Sequence, residues 1–437
     1  MRLVSTRDAR HTTTFAAAAL GHAPADGGLW VPASLPRWDD VPALLDLPWA
    51  ERSCEILCRL LGDEWERSAL DALVREAFDF PVRVTAVEGS THALELFHGP
   101  SLAFKDFGAR FLARVVSASA TGPRTVLTAT SGDTGAAAAA AFLGRAGVSV
   151  AVLYPRGRVT PLQERQLACL GGNTRAFAVD GSFDDCQRMV RACFADDRLA
   201  ADLGLTSANS INIARLLAQV PYYFEGVARV REAQPGRPVV ISVPSGNFGN
   251  LCAGLYARAL GLPVEAIVAA TNANRTVPDH LESGEYRARE SVATHSSAMD
   301  VGAPSNWERV RHLFGGDLAP LRSALRWGSC DDHETEQAMR ALHARGHVVE
   351  PHAAVAWRVL DRALRPGECG LYLATAHPAK FLDLVEPLLG VRVPLPASLA
   401  ALLERPVRAE PLPADAALLA ARLREGAAAG EGERAPA

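Results

Sequence analysis

Thr125-Val126-Leu127-Thr128-Ala129-Thr130-Ser131-Gly132-Asp133-Thr134-Gly135 reads as a β-branched strand that breaks at a glycine-containing loop, and Ala136 to Leu143 continues it as an alanine-rich helix. Val148 to Leu153 supplies the next strand and completes a βαβ unit. The pattern recurs. Pro238 to Val243 is a strand, Ser245-Gly246-Asn247-Phe248-Gly249-Asn250 a loop, Leu251 to Leu260 a helix and Val264 to Ala270 a strand. A further strand, Leu371-Tyr372-Leu373-Ala374-Thr375, runs into Ala376-His377-Pro378-Ala379-Lys380. Repeated βα units predict an α/β fold with mostly parallel sheet and helices on both faces. Ligands in such sheets bind beyond the carboxyl ends of the strands, so these loops are expected to gather.

Around this core the chain changes character. Residues 1–84 hold Asp26-Gly27-Gly28-Leu29-Trp30-Val31-Pro32, a glycine turn entering a short strand, then helical stretches at Ser53 to Leu61 and Trp65 to Phe78. They offer no catalytic chemistry and read as an N-terminal cap domain. Residues 85–395 form the α/β core, in which Ser207-Ala208-Asn209-Ser210-Ile211-Asn212-Ile213-Ala214-Arg215 enters a helix expected to run to about Val220, before Pro221. Residues 396–437 carry one helical pattern, Ala414 to Leu423, and a tail from Gly426 that is expected not to order.

Composition narrows the class. The chain has 437 residues, 49% hydrophobic and 22% charged, with a net charge of −4. An acidic balance without a basic stripe argues against nucleic-acid and anionic-membrane partners. The eight cysteines are scattered without a C-x-x-C pair, which fits buried thiols in a reducing compartment and no metal site. The start lacks an apolar leader and no apolar run is long enough to span a bilayer, so a cytoplasmic location is expected.

Of 45 basic residues only Lys105 and Lys380 are lysine, the other 43 being arginine. Arginine keeps its proton and forms no Schiff base, whereas a partly buried lysine can lose its proton and attack a carbonyl. Lys105, in His98-Gly99-Pro100-Ser101-Leu102-Ala103-Phe104-Lys105-Asp106-Phe107-Gly108, is the candidate for such chemistry. The Ser245–Asn250 loop, with two glycines before a helix N-terminus, suits a phosphate, although a tight strand-to-helix turn would need the same glycines. It is neither a Walker A nor a G-x-G-x-x-G loop, which disfavours ATP and dinucleotides. The Ser131–Gly135 loop also opens a helix and suits a carboxylate or phosphate, while Asp133 could serve simply as a helix cap. A Schiff-base-competent lysine with two anion-ready helix starts fits pyridoxal phosphate: the lysine takes the aldehyde, one loop the phosphate, the other an amino-acid carboxylate.

The chain resembles the threonine synthases, pyridoxal-phosphate enzymes of fold type II with a tryptophan-synthase-β-like fold. The resemblance rests on His98-Gly-Pro-Ser-Leu-Ala-Phe-Lys-Asp-Phe-Gly-Ala-Arg110, Ala129-Thr-Ser-Gly-Asp-Thr-Gly135, Asn209-Ser-Ile-Asn212, Pro244-Ser-Gly-Asn-Phe-Gly-Asn250, Ala298-Met-Asp-Val301 and Ala374-Thr-Ala-His-Pro-Ala-Lys-Phe381. Ser5-Thr-Arg7 and Asp26-Gly-Gly-Leu29 resemble the family's opening, so most of residues 1 to 395 is covered. Glu350-Pro351-His352 departs from it, since Asp is expected before Pro-His.

The resemblance implies two core subdomains with the cofactor between them and Lys105 carrying it as a Schiff base. Gly246, Asn247, Phe248, Gly249 and Asn250 would cradle its phosphate, and Thr375 would face its pyridine nitrogen. Ser131, Gly132 and Thr134 would receive the substrate's α-carboxylate. Asp133 would stand near the cofactor's phenolic oxygen, where two negative charges would repel unless one were protonated. Asn209, Ser210, Asn212 and Arg215 are candidates for a substrate phosphate, with Arg215 supplying a fork of donors unless a surface carboxylate claims it. Lys380 fits either attraction of that phosphate or a structural ion pair. His98 and His377 read as packing residues, and the loop from Thr294 to Asp300 receives no role. The implied reaction converts O-phospho-L-homoserine and water to L-threonine and phosphate. A phospholyase releasing 2-oxobutyrate and a non-catalytic sensor of the cofactor or substrate are the alternatives. Monomer and homodimer both fit.

Overall fold

The computed structural model describes residues 1–21 and 23–432. Three sheets organise them. A small antiparallel sheet sets Arg2–Ser5 between Thr12–Thr14 and Trp30–Pro32. A five-stranded, fully parallel sheet runs in the order Ala409–Pro413, Thr174–Asp180, Val148–Pro155, Arg124–Ala129, Leu205–Ser207. The six-stranded sheet runs Leu325–Ser329, Ala266–Thr271, Val239–Pro244, Cys369–Ala374, Thr91–Glu95, Arg83–Glu88, parallel except for the last pair. Strands Val239–Pro244 and Cys369–Ala374 are buried at every residue, as expected where helices cover both faces of a parallel sheet.

Helix Lys105–Ser119 packs against helices Asp133–Phe142, Ile213–Leu217, Arg67–Ala77 and Phe15–Leu20. Ten of its residues are buried, with Phe107, Phe111 and Leu112 fully so. Each such side chain contributes roughly 1.5–3 kcal/mol of transfer free energy. Gly108 permits a close approach to helix Ile213–Leu217, because a Cβ there would lie 2.9 Å from the Arg215 carbonyl oxygen.

The N-terminal segment docks on helix Val220–Ala233 through a buried ion pair between Arg52 and Glu225. Arg52 also donates to the Leu44, Leu45 and Leu47 carbonyls, so its guanidinium organises the turn before its own helix, Trp49–Leu61. All eight cysteines are buried and unpaired. Among the described residues no helix is long and apolar enough to cross a membrane.

Three sequence expectations change here. The helix after Asn209 ends early, at Leu217, and Pro221 sits in the first turn of the next helix, where its missing N–H is harmless. Ala409–Pro413 adds an edge strand to the five-stranded sheet, in a region expected to hold only a helix and tail. The last helix is Ala416–Gly432, past the Ala414 to Leu423 pattern and through Gly426, in keeping with the strong helix propensity of Ala427-Ala428-Ala429. Of the tail expected not to order, residues 433–437 lie outside the described residues.

Candidate active site

Lys105 opens its helix directly beside the carboxyl end of strand Cys369–Ala374. Phe104 donates its N–H to the Thr375 carbonyl at 2.9 Å, Ala103 bridges to Ala376, and His377 donates its N–H to the Leu102 carbonyl at 3.0 Å. The lysine is therefore tied to the strand by backbone bonds. Leu102, with φ 58°, and Phe248, with φ 59°, are the only non-glycine residues at positive φ among the described residues. Both lie in loops of the site, where such backbone strain concentrates. Thr375, directly after strand Cys369–Ala374, is buried.

Both lysines of the chain meet at Asp133. Lys380 Nζ stands 2.8 Å from Asp133 Oδ1, and Lys105 Nζ 3.6 Å from Oδ2. Gln163 Nε2 donates to Oδ1 at 3.2 Å. Burial by itself would raise the Asp133 pKa, but Lys380 and then Lys105 outweigh it and hold the carboxyl well below its ordinary range. Burial pushes Lys105 down; Asp133 partly offsets this, while Lys380 and Arg215 push the same way as burial. The repulsion expected of an acid in this loop is thus answered by a resident cation.

Lys380 itself is fully buried, in the short turn Pro378–Phe381, and donates to the Ser101 carbonyl at 2.8 Å as well as to Asp133. Of its two sequence readings the structural ion pair is the one observed. Asp133 and Thr134 begin helix Asp133–Phe142, and the Thr130 hydroxyl accepts from Gly132 and Gly135 N–H at 2.9 Å each. Gly132 is obligatory: its φ is 135°, and a Cβ would meet the Gln163 amide at 2.6 Å.

The loop between strand Val239–Pro244 and helix Gly249–Ala259 presents the backbone N–H groups of Gly246, Asn247 and Phe248 without a hydrogen-bond partner among the described residues. Gly249 and Asn250 add the free donors of the first helical turn. Such a row of N–H groups at a helix N-terminus can hold an anion. Asn250 Oδ1 accepts from Tyr222 and Tyr223 hydroxyls at 2.6 Å each, while its buried Nδ2 has no partner. Gly246 allows close packing on the loop from Thr294 to Asp300, since a Cβ would lie 2.6 Å from the Ala298 carbonyl oxygen.

That loop, which had no assigned role, is a buttress. Asp300 accepts from Thr294 Oγ1 at 2.7 Å, Thr294 N at 3.0 Å, Asn272 Nδ2 at 2.8 Å and Asn274 Nδ2 at 3.2 Å. Ser210 Oγ accepts from Asn306 Nδ2 at 3.2 Å, and Asn306 donates its backbone N–H to the Asn247 carbonyl, so the 209–215 segment and the glycine loop are joined. Buried Arg309 reinforces the junction through the Ser210 and Ile211 carbonyls and Asn306 Oδ1. Asn306, Arg309 and Gln163 had no sequence signal, because each acts through a partner distant in the chain.

Arg215 is 5% exposed and, among the described residues, makes no ion pair. Its Nη1 donates to the Ala208 carbonyl at 2.6 Å, and its buried Nε has no partner. Burial pushes its guanidinium down to about 10, so it remains a cation at neutral pH. Asn209 Oδ1 accepts from the Thr128 hydroxyl at 2.5 Å, which leaves its amide N–H beside Ala129. Asn212 departs from expectation. Its amide donates to the Ala19 and Ser207 carbonyls at 3.0 and 2.9 Å and its oxygen caps Ala214 N at 3.0 Å, so the side chain is a helix cap with nothing left for a ligand. His98 pairs with Glu95 at 2.8 Å and His377 caps its own turn through Ala379 N, both packing roles.

Fold and site together define a pyridoxal-phosphate-dependent enzyme of fold type II, and residues 92–371 match the family model described as pyridoxal-phosphate dependent enzyme. The flanks match two narrower models, threonine synthase N terminus over 2–78 and threonine synthase, C-terminal over 353–422. The threonine synthase of Escherichia coli strain K12 is 48% identical over 96% of this chain and 98% of its own length, and that of Haemophilus influenzae 47% identical over 97% and 99%. Crystal structures of threonine synthase from Escherichia coli and of the PLP-bound enzyme from Brucella melitensis superpose with TM-scores of 0.93 and 0.90. Their sequence identities to this chain are 47% and 34%, over 97% and 98% of it and 100% and 99% of those chains. The chain belongs to the threonine synthase family.

Proposed function

We propose that the chain converts O-phospho-L-homoserine and water to L-threonine and phosphate, using pyridoxal phosphate held at Lys105. The observation that carries the substrate reading is Arg215. A buried guanidinium without a counter-ion is costly to keep unless a ligand anion completes it, and this one is near enough to bias Lys105. With Asn209 and Ser210 it would hold the substrate phosphate; Asn212 is left out because its amide is a cap.

The residues also fit the cofactor. The free N–H groups of Gly246, Asn247, Phe248, Gly249 and Asn250 would take its phosphate, and the hydroxyl of buried Thr375 would face its pyridine nitrogen. When bound, the cofactor supplies an electron sink for charge that develops at the substrate's α-carbon. Ser131, Gly132 and Thr134, at the start of their helix, would orient the α-carboxylate. Lys105 Nζ would take the α-proton and later return one, a task suited to an amine that burial makes easier to deprotonate. Overall, Cβ gives up one proton and Cγ gains one. The Cγ–O bond breaks with phosphate taking its electron pair, and water adds its hydroxyl to Cβ while its remaining proton goes to the released phosphate. Arg215 would first hold and then release the departing phosphate.

A proton NMR time course of the cofactor-loaded protein with O-phospho-L-homoserine in deuterated water tests this. L-threonine carrying α-deuterium is expected. Accumulation of 2-oxobutyrate would replace the synthase reading with a phospholyase, and intact substrate beside bound cofactor would replace it with a sensor.

A further inference from the structure

We propose that Lys380 is a positioning residue for Lys105: a fixed buried cation that takes Asp133 as its own counter-ion and leaves the Lys105 amine loosely held and free to react. The inference deepens the reading above and rests on it for the word react. Its geometry stands independently.

Asp133 does not divide itself evenly. Oδ1 is drawn to Lys380 at 2.8 Å and to Gln163 at 3.2 Å, while Oδ2 faces Lys105 at 3.6 Å, beyond good hydrogen-bond distance. Lys380 is locked where Lys105 is not. It has no exposed side-chain surface, a second bond to the Ser101 carbonyl, and a turn capped by His377 Nδ1; the Lys105 side chain keeps 15% of its surface. Ser101 is held in turn by Gln166, which donates to the same carbonyl at 3.1 Å, and by Asp106, which accepts the Ser101 N–H at 2.9 Å.

The charges facing Lys105 are Asp133 from one helix, Lys380 from the turn and Arg215 from a third element. The His352 imidazole of helix Pro351–Ala363 lies near Asp133 but accepts the Ala298 N–H and so adds no charge. Two cations beside one carboxylate disfavour a further charge on Lys105, which a base must lack before it can take a proton. Without Lys380 the carboxylate would be free to close on Lys105 and hold its proton. A compact ammonium reaches both oxygens in this enclosed place, whereas a planar five-donor fork would need more acceptors than Asp133 and Ser101 supply. That is a physical reason for a second lysine to persist beside 43 arginines.

Having only two lysines makes the test direct. The full-length protein without added cofactor is labelled with 13Cε-lysine, and its two signals are titrated and assigned through Lys380→Met. Lys105 is expected to titrate below free lysine in the native chain and to shift upward in Lys380→Met. It should return toward the native midpoint in Lys380→Arg and move further down in Asp133→Asn. The acid limb of kcat in the loaded enzyme should follow the same order along the pH axis. An unmoved Lys105 midpoint in folded Lys380→Met, or one that rises in Asp133→Asn, overturns the proposal. If native protein shows the titration pattern but forms no threonine, the reaction reading fails and the charge arrangement stands.

Discussion

His352 Nε2 accepts the backbone N–H of Ala298 at 3.1 Å, which ties helix Pro351–Ala363 to the loop that Gly246 packs against. The ring can accept there because its other nitrogen, Nδ1, hydrogen-bonds the Glu350 carboxylate. Glu350 is fully buried and also accepts from His352 N at 2.7 Å and Ala353 N at 2.9 Å, so one carboxylate caps the helix and sets the imidazole. Glu in place of the expected Asp performs both tasks.

Glu350→Gln should separate these tasks. Three N–H donors converge on the carboxylate, and an amide offers one oxygen and adds two donors of its own. A stability loss of about 1–3 kcal/mol is expected, together with weaker pyridoxal phosphate binding as the Ala298 loop slackens against Gly246. Thermal unfolding and a fluorescence titration of the cofactor check both. A lowered Tm with unaltered cofactor affinity would show that the cap does not govern the loop.

Arg215→Met should reduce activity without loss of stability. Truncating a buried charge that binds a ligand anion typically costs about 2–5 kcal/mol of binding, so kcat/KM for O-phospho-L-homoserine should fall by roughly 30-fold to 5,000-fold. The unliganded protein meanwhile loses an unpaired buried charge and should unfold at the same or a higher temperature. Steady-state kinetics beside a melting curve decide it. Unchanged kcat/KM, or a large fall in Tm, would make Arg215 structural.

Local chemistry was readable and distant pairing was not. The Lys105 segment and the two glycine loops stand out because strand, break and helix follow one another in sequence. Asn212 misled because an Asn before a helix is both a good anion donor and a good N-cap, and only the fold says which carbonyls it reaches. The strand Ala409–Pro413 escaped because Pro411 and Pro413 read as loop; at a sheet edge, paired only with Thr174–Asp180, their missing donors are tolerated. Arg309, Asn306 and the Lys380–Asp133 contact join segments that no local pattern connects.

Asp106 gives the protein a measurable pH signature. It follows Lys105, its Oδ2 accepts the Ser101 N–H at 2.9 Å, and its Oδ1 is buried without a partner. Burial pushes its pKa from the ordinary 3.8 up to about 6, against the pull of Ser101, Lys380 and Arg110. The unfolded chain therefore releases this proton at lower pH than the native chain does. Between those values the native state binds more protons, so stability from this group is fully present below the unfolded pKa and falls as pH rises through about 6. The loss amounts to about 3 kcal/mol. Asp106→Asn keeps an oxygen for Ser101 and has no charge to bury. Its unfolding free energy relative to the native sequence should rise as pH goes from about 4 to about 6.5, then level off. Denaturant unfolding at several pH values measures the gap, and a gap that stays constant or narrows over that range would mean that Asp106 ionises in the fold as readily as in the unfolded chain.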